Sequence, residues 1–364
     1  MIGLLKKLFG RPGDTDARSA TPDAPMSVPA LDLPEPFWRA ETRLPIPDWN
    51  AVATLEPADA PVEQLDAFWR RAATSWLTRL AHELGGAYRV ALSDHFALLA
   101  SRSARECQVT LDFAERVRRR ILRTLPGVAV SDGHGPTAVL LFDDPDDYYA
   151  YIDHYYPSEG VFAMSSGMFV DAGYGHFVFM ADDVSQMEPV LVHELTHALL
   201  RHLNLPRWLD EGAAVNMEMY LVPHMADPRR NLYAAHEMAA KHAAFWNEHT
   251  IQEFWTGHSF LRPDDGNLLS YDLAERMSRL LSAQDYARYA ALLQGARADD
   301  GGIGALRDAF GLDPGDVAAE VLGAGPWQAQ PSTWERVEAQ AVSQSQMLAQ
   351  AMAQQTEETA SIPS

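Results

Sequence analysis

Cysteine, positive charge and long apolar runs are scarce in this chain of 364 residues. Its single cysteine, Cys107, excludes an intramolecular disulfide. No run of about 18 apolar residues is present, so the sequence predicts no membrane-spanning helix. The 29 Lys and Arg residues stand against 50 Asp and Glu residues, and the net charge of −21 argues against nucleic-acid binding, because phosphate contacts need clustered cations. For a substrate, this charge implies only a mild bias toward neutral or basic segments.

The amino terminus lacks the features of a secretion signal. Residues 1–10 combine apolar side chains with Lys6 and Lys7, but they contain no sustained apolar stretch and no cleavage site. The cytoplasm is therefore the expected location. The decapeptide is either an unstructured terminus or a short basic amphipathic segment that makes weak peripheral contact with a membrane. Nothing in the sequence specifies an oligomeric state.

The chain is rich enough in apolar residues, at 47%, to build a sizeable core. Strands precede helices rather than alternating with them, which predicts an α+β fold with a small mixed sheet followed by a mostly helical half. The predicted strands are 88–92, 96–100, 137–142, 167–170 and 176–180, and the predicted helices before residue 185 are 62–84, 103–125 and 144–154. A turn at 93–95 is expected to join the first two strands, and helices are expected to continue to residue 322.

Residues 193–197 read His-Glu-Leu-Thr-His, which is an HExxH motif. Positions four apart on a helix lie about 40° from each other around the axis, so His193 and His197 can point two imidazoles at one metal ion. Glu194 lies beside both histidines and can accept a proton from water without becoming a ligand. This pattern is typical of a catalytic zinc site.

Local signals predict a helix over 186–203 around this motif. Ser185 is a good N-cap, and Glu188 three residues later completes a capping-box pattern. Pro189 is then expected in the first turn, where its missing N–H does little harm. Pro206 follows the end of the helix.

A catalytic zinc ion needs a third protein ligand. A metzincin would carry HExxHxxGxxH, but this chain has Leu200 and Leu203 where that motif has Gly and His. His202 lies about 140° around the helix from His197 and cannot easily share the ion. Glu211, in the sequence WLDEG, is the better third ligand.

A second helix is predicted over 209–221. Gly212 and the two alanines after it are expected to let this helix pack closely against the HExxH helix. Asp210 is interpreted as an N-cap or first-turn acid rather than a partner of the metal site. Glu218 is either a solvated helix charge, the favoured interpretation, or an acceptor for the second ring nitrogen of a ligand histidine.

The sequence HELTHALL followed by LPRWLDEGAA resembles the gluzincin zinc peptidases, specifically the short peptidase-MA-like group with a W-L-x-E-G-x-A second motif. The match is specific over 185–218 and weaker over roughly 90–290. The resemblance implies a zincin-like fold and Glu194 as the general base. It also implies one Zn²⁺ ion per chain, with the ligands His193, His197 and Glu211.

Gluzincins commonly use a downstream tyrosine or histidine to hold the oxyanion. Tyr271 is predicted to open a helix where the family has such a tyrosine, and it is the candidate for this role, with a packing aromatic as the alternative. The aminopeptidases of the superfamily carry a G-x-M-E-N signature that binds the free amine of the substrate. The nearest counterpart here, SGMFV at 166–170, has no Glu-Asn, which favours an endopeptidase. In zincins generally, the strand before the active-site helix pairs with extended substrate, so 177–180 is the candidate substrate edge, with an ordinary paired strand as the alternative.

These features predict a zinc metallopeptidase that cuts a peptide or protein substrate. Metal-activated water attacks the peptide bond, Glu194 takes the proton and returns it to the leaving amine, and Tyr271 donates to the oxyanion. Two alternatives stay open, namely a zinc hydrolase that acts on a non-peptide substrate and a non-catalytic zincin-fold binding or regulatory protein. The intact Glu194 argues against the second alternative, because a structural site has no use for a base.

Composition predicts three segments. Residues 1–60, rich in Pro, Asp and Ala, are expected to form a tail and linker. Residues 61–327 are expected to form one gluzincin-like catalytic domain, with strands up to about 184 and helices from 185. Residues 328–364, biased toward Gln, Ala, Ser and Thr, are expected to be a low-complexity tail.

Overall fold

The computed structural model of the protein describes residues 31–39, 42–131, 133–156, 167–181, 184–223 and 233–337. The expectations for the first ten residues, for the first half of the amino-terminal tail and for most of the carboxyl-terminal tail lie outside the described residues. Among the residues that are described, no helix is both long enough and apolar enough to cross a bilayer.

Helices dominate the described residues and a five-stranded sheet accompanies them, so the expected mixed α+β class is confirmed. The strands are β1 Arg89–Leu92, β2 Phe96–Ala100, β3 Thr137–Phe142, β4 Gly167–Val170 and β5 His176–Met180. The helices of the first half are α1 Trp49–Ala53, α2 Val62–Leu84, α3 Ala104–Thr124 and α4 Pro145–Tyr155. The later helices are α5 Val184–Leu200, α6 Arg207–Leu221, α7 Ala235–Phe245, α8 Thr250–Trp255, α9 Asp265–Gln284, α10 Tyr286–Gly295, α11 Ile303–Phe310 and α12 Pro314–Leu322. Short 3₁₀ turns occupy Glu35–Phe37, His258–Leu261 and Pro331–Thr333.

Apolar periodicity predicted most of these bounds well. Strands β2 to β5 and helix α2 have the predicted first and last residues, and β1, α3 and α4 differ by one residue at one or both ends. The expected turn between β1 and β2 is confirmed, because Ser93 donates its N–H to the carbonyl of Phe96. These elements each contain a regular set of apolar side chains, which is the signal that a sequence shows most clearly.

The chain divides into two compact units, with the division falling inside α3 and β3. The first unit comprises Met1–Leu111 with His134–Ala138, and the second comprises Asp112–Gly133 with Val139–Ser364. The division lies within the segment 61–327 that composition assigns to one domain, and the expected domain boundaries stay predictions.

The core of the first unit includes part of the expected tail. Ile46, Trp49 and Val52 are buried, although they lie within the first 60 residues. The ring of Trp49 meets that of Trp76 edge-on, with 5.2 Å between centroids. Such aromatic contacts fix α1 against α2.

The strand order of the sheet is β1-β2-β3-β5-β4. The prediction that 177–180 forms the substrate edge is therefore wrong, since β5 lies between β3 and β4. Four of its five residues, from His176 to Phe179, are buried. A nearly continuous buried run is typical of an interior strand. Among the described residues, β4 is the outermost strand on this side of the sheet, and it pairs with β5 in antiparallel register.

Helix α5 carries the HExxH motif and is shifted relative to the predicted 186–203. It begins at Val184, so Ser185 is helical rather than an N-cap, and Pro189 lies beyond the first turn. It ends at Leu200, because the N–H of Leu203 donates to the carbonyl of the last helical residue and closes a turn. The capping-box pattern is a local signal, and here the helix extends one residue upstream of it.

Helix α6 follows after Pro206, which is its N-cap, and packs against both α5 and α9. The expectation that Gly212 serves the contact with α5 is wrong. A Cβ atom at this position would lie 2.5 Å from the carbonyl oxygen of Ala274 and 2.8 Å from Cβ of Ser278, both in α9. The missing side chain therefore allows α9, rather than the HExxH helix, to approach α6 closely.

Candidate metal centre

Three predicted ligands converge where α5 crosses α6. The Nε2 atoms of His193 and His197 are 3.1 Å apart. Oε2 of Glu211 lies 3.2 Å from the first of these nitrogens and 3.4 Å from the second. Helical spacing accounts for the histidine pair, since the two residues lie one turn apart on α5. The carboxylate comes from the second turn of α6, as the third-ligand interpretation requires.

The spacing of these donor atoms fits a single tetrahedral ion. At metal–ligand distances of about 2.1 Å, two ligands of a tetrahedral zinc ion lie about 3.4 Å apart. The observed separations of 3.1, 3.2 and 3.4 Å are close to that value. Two imidazole nitrogens and one carboxylate oxygen also form a donor set that zinc accepts in catalytic sites, where a fourth position stays open. The residues therefore fit the ion that the resemblance implies.

The three donors are largely buried but remain in reach of solvent. The side chains of His193, His197 and Glu211 are 16%, 19% and 12% exposed. Partial exposure of this kind leaves room for a small molecule to approach the donor atoms. The surrounding protein lowers the local dielectric and so strengthens charge interactions there.

Glu194 directly follows His193 on α5 but is not one of the donors that come together. Its Oε2 accepts a hydrogen bond of 3.1 Å from the backbone N–H of Phe169 in β4. The outermost strand of the sheet thus holds the carboxylate that the HExxH pattern assigns to proton transfer. His202, which sequence spacing excluded as a ligand, is exposed and also lies outside the set.

Tyr271 reaches the site through Glu211. Its hydroxyl donates to Oε1 of Glu211 at 3.4 Å, which is a long hydrogen bond, and its ring packs on Phe260. The expectation that Tyr271 opens a helix is wrong, because α9 begins six residues earlier, at Asp265. The side chain of Asp264 caps that helix by accepting the N–H of Gly266.

Two more carboxylates of α6 face the Nδ1 atoms of the histidines. Oδ1 of Asp210 lies 3.0 Å from Nδ1 of His197, and Oε2 of Glu218 lies 3.6 Å from Nδ1 of His193. Asp210 occupies the first turn of α6, as predicted, but the expectation that it is no partner of the metal site is wrong, since its carboxylate faces a ligand histidine. The favoured interpretation of Glu218 as a solvated charge is wrong, since this residue is 6% exposed. The seven-residue spacing between Glu211 and Glu218 is about two helical turns, and it indicated in the sequence that both side chains project from the same face of α6.

The cluster shifts the pKa of all three donors. Burial lowers the pKa of His193, but Glu211 and Glu218 outweigh burial and raise this pKa to about 9. Burial also opposes protonation of His197, yet the charges of Asp210 and Glu211 hold its pKa well above the ordinary value. Burial raises the pKa of Glu211, and the two histidines prevail and lower it. Because the pKa values of both histidines are raised, at least one of the two imidazoles carries an extra proton at neutral pH.

Tyr156 is a further neighbour that the sequence analysis missed. Its hydroxyl accepts the backbone N–H of Asp171, and its pKa is raised by burial and by the negative charges of Asp171 and Glu194. It directly follows α4, where no local pattern separates it from the packing tyrosines of that helix. Sequence alone gave no signal for its position near Glu194.

Comparisons with models of known protein families, with curated proteins and with solved structures returned no match. The resemblance to gluzincins still rests on the sequence motifs alone.

We expect zinc binding to release at least one proton per site at pH 7. A coordinating imidazole is neutral, whereas the metal-free cluster holds an extra proton, so zinc and protons compete. The apparent zinc affinity should rise with pH toward the pKa of His193, about 9, and fall as the pH is lowered. Calorimetric titration in buffers of different ionisation enthalpy measures the released protons.

The control for this experiment is His202→Ala, which removes an exposed histidine just after α5. It should release the same number of protons as the unmodified protein. A binding enthalpy that does not depend on the buffer would contradict the raised histidine pKa values.

Proposed function

We propose that this protein is a zinc-dependent metallopeptidase of the gluzincin type that binds one Zn²⁺ ion and cuts peptide or protein substrates in the cytoplasm. The observation that carries the proposal is the convergence of the His193, His197 and Glu211 donors at tetrahedral spacing. Glu194, which follows the ligand His193 on α5 and is held by the N–H of Phe169, supports catalysis rather than a structural site. A zincin-like arrangement of the sheet and α5 is part of the same proposal.

In this proposal the two histidines and Glu211 hold the ion. A bound Zn²⁺ supplies a Lewis acid that lowers the pKa of a water molecule at the open position and polarises the scissile carbonyl. The burial of the three side chains limits bulk water around the reacting groups, which strengthens electrostatic interactions with them.

Glu194 acts as the general base in this proposal. The N–H of Phe169 fixes its Oε2, which leaves the carboxylate in one orientation. Glu194 accepts a proton from the attacking water and returns it to the leaving amine, so the same carboxyl group serves both halves of the reaction.

Substrate is proposed to bind along β4 rather than along β5. The outermost strand is the one that can pair with an extended peptide, and Phe169 within β4 contacts the proposed base directly. A peptide on β4 therefore lies beside Glu194. The absence of a Glu-Asn pair after Met168 supports an endopeptidase over an aminopeptidase.

Tyr271 is proposed to donate to the oxyanion. Its hydrogen bond to Oε1 of Glu211 is 3.4 Å long, so exchanging this partner for a developing negative charge is favourable. The contact with Phe260 holds the ring beside the site.

Glu211→Ala is expected to lose zinc, because the two remaining histidines leave the donor set incomplete. Mass spectrometry on purified protein should find near-stoichiometric zinc in the unmodified chain and little in this variant. Glu320→Ala, which removes an exposed glutamate from α12, is the control and should keep its zinc. Absence of zinc from every sample, even after incubation with the metal, would refute the metal site.

Glu194→Gln is expected to reduce peptide hydrolysis by a factor of about 100 or more while leaving zinc bound. The amide oxygen of Gln can still accept from Phe169, but it cannot take up a proton at neutral pH. Cleavage of a quenched fluorescent peptide library measures the effect, with Glu320→Gln as the control.

Full activity of the Glu194→Gln variant would rule out Glu194 as the base. A zinc-loaded, unmodified protein that cuts no peptide would favour the two alternatives, a non-peptide hydrolase or a non-catalytic binding protein.

Tyr271→Phe is expected to lower kcat by a factor of about 100, because one donor to the oxyanion is lost. Zinc affinity should change little, since the long contact with Glu211 contributes little to metal binding. Steady-state kinetics at saturating zinc, together with a zinc titration, separate the two effects. A loss of zinc affinity with unchanged kcat would instead assign the hydroxyl to holding Glu211.

A further inference from the structure

The Nδ1 atoms of both ligand histidines face carboxylates that belong to the same helix as the third ligand. Asp210 approaches His197 to 3.0 Å, and Glu218 approaches His193 to 3.6 Å. We propose that Asp210 and Glu218 are positioning residues that orient the two histidines for the metal. This inference rests on the proposed metal site. It adds that a single helix, α6, carries the third ligand and also the two outer carboxylates, those of Asp210 and Glu218, that orient the ligand histidines.

The geometry of α6 explains how one helix reaches both histidines. Glu218 follows Glu211 by seven residues, so the two project about 20° apart on the same face, separated by about 10 Å along the axis. Asp210 precedes Glu211 directly. The later histidine of α5, His197, meets the earlier carboxylate, and His193 meets the later one. This exchange of order is what two antiparallel helices produce.

The proposed contacts act on the proton of each imidazole. A histidine that coordinates through Nε2 keeps its proton on Nδ1, and a carboxylate that accepts this proton fixes both the tautomer and the plane of the ring. The negative charge also makes the ring a better donor to the metal. Nδ1 of His197 is buried and makes no aligned hydrogen bond, which leaves Asp210 as the adjacent acceptor.

Burial distinguishes Glu218 from an ordinary surface charge, whereas Asp210 is only partly buried. The side chain of Glu218 is 8% exposed and that of Asp210 is 35% exposed. A carboxylate that loses water needs charged or polar partners, since its desolvation is otherwise costly. Each carboxylate has a ligand histidine as such a partner. Glu218 is therefore more deeply buried than Asp210, but each carboxylate faces the Nδ1 atom of a ligand histidine.

The test compares zinc affinities of the full-length protein and its variants by competition with a chromogenic chelator. Asp210→Ala and Glu218→Ala are each expected to weaken zinc binding by a factor of about 10 to 100. Asp210→Asn and Glu218→Gln are expected to restore part of this loss, because their amide oxygens can still accept from Nδ1. Asp308→Asn in α11 and Glu320→Gln in α12 remove exposed carboxylates and serve as matched controls.

A second measurement separates positioning from a general effect on folding. The visible absorption of Co²⁺ bound in place of zinc reports ligand geometry, and it should shift in the Asp210 and Glu218 variants but not in the controls. Circular dichroism verifies that each variant is folded, and the isosteric Asn and Gln variants serve if an Ala variant is not.

The outcomes separate this inference from the proposed function. If the unmodified protein binds zinc and all four variants match the controls in affinity and spectrum, the positioning role is overturned and the metal site stands. If the unmodified protein binds no zinc, both are overturned. Weakened binding with a shifted spectrum in the variants alone supports the positioning role.

Discussion

The packing of α5 against α6 is the interaction on which the site depends. It brings the donor atoms of His193, His197 and Glu211 within 3.4 Å of one another and removes most of their contact with water. Two imidazoles and a carboxylate at this spacing compete for protons, which explains why the histidine pKa values rise and that of Glu211 falls. Under the proposed function, a divalent cation replaces these protons.

Helix α9 holds α6 in the position that this cluster requires. Gly212 allows the backbone of Ala274 to approach α6 directly, and Asn216 donates to the carbonyl oxygens of Gly212 and Glu275. Tyr271 adds a contact from α9 to the ligand Glu211 itself. Because Glu211 lies next to Gly212 in the chain, a shift of α9 would be transmitted to the carboxylate that completes the donor set.

The sequence predicted what depends on neighbours along the chain and missed what depends on neighbours in space. The four-residue spacing of His193 and His197 fixes their common direction on any helix, so their convergence followed from the motif. The partner of Gly212 depends on where α9 lies, and no local pattern encodes that. The spacing of Glu218 from Glu211 indicated a shared helix face, but the burial of Glu218 depends on the helices packed against that face. The position of β5 inside the sheet was partly predictable, because its continuous apolar residues favoured a strand that pairs on both sides.

Under the proposed function, the outer carboxylates change the chemistry of the site as well as its geometry. Glu211, Asp210 and Glu218 together carry three negative charges against the two positive charges of a zinc ion, so the loaded centre is net negative. A water molecule at such a centre is a weaker acid than it would be beside neutral ligands alone, because deprotonation adds charge of the same sign. Removal of its proton then depends more strongly on Glu194. This dependence gives a reason for the hydrogen bond from Phe169, which keeps that carboxylate oriented before substrate arrives.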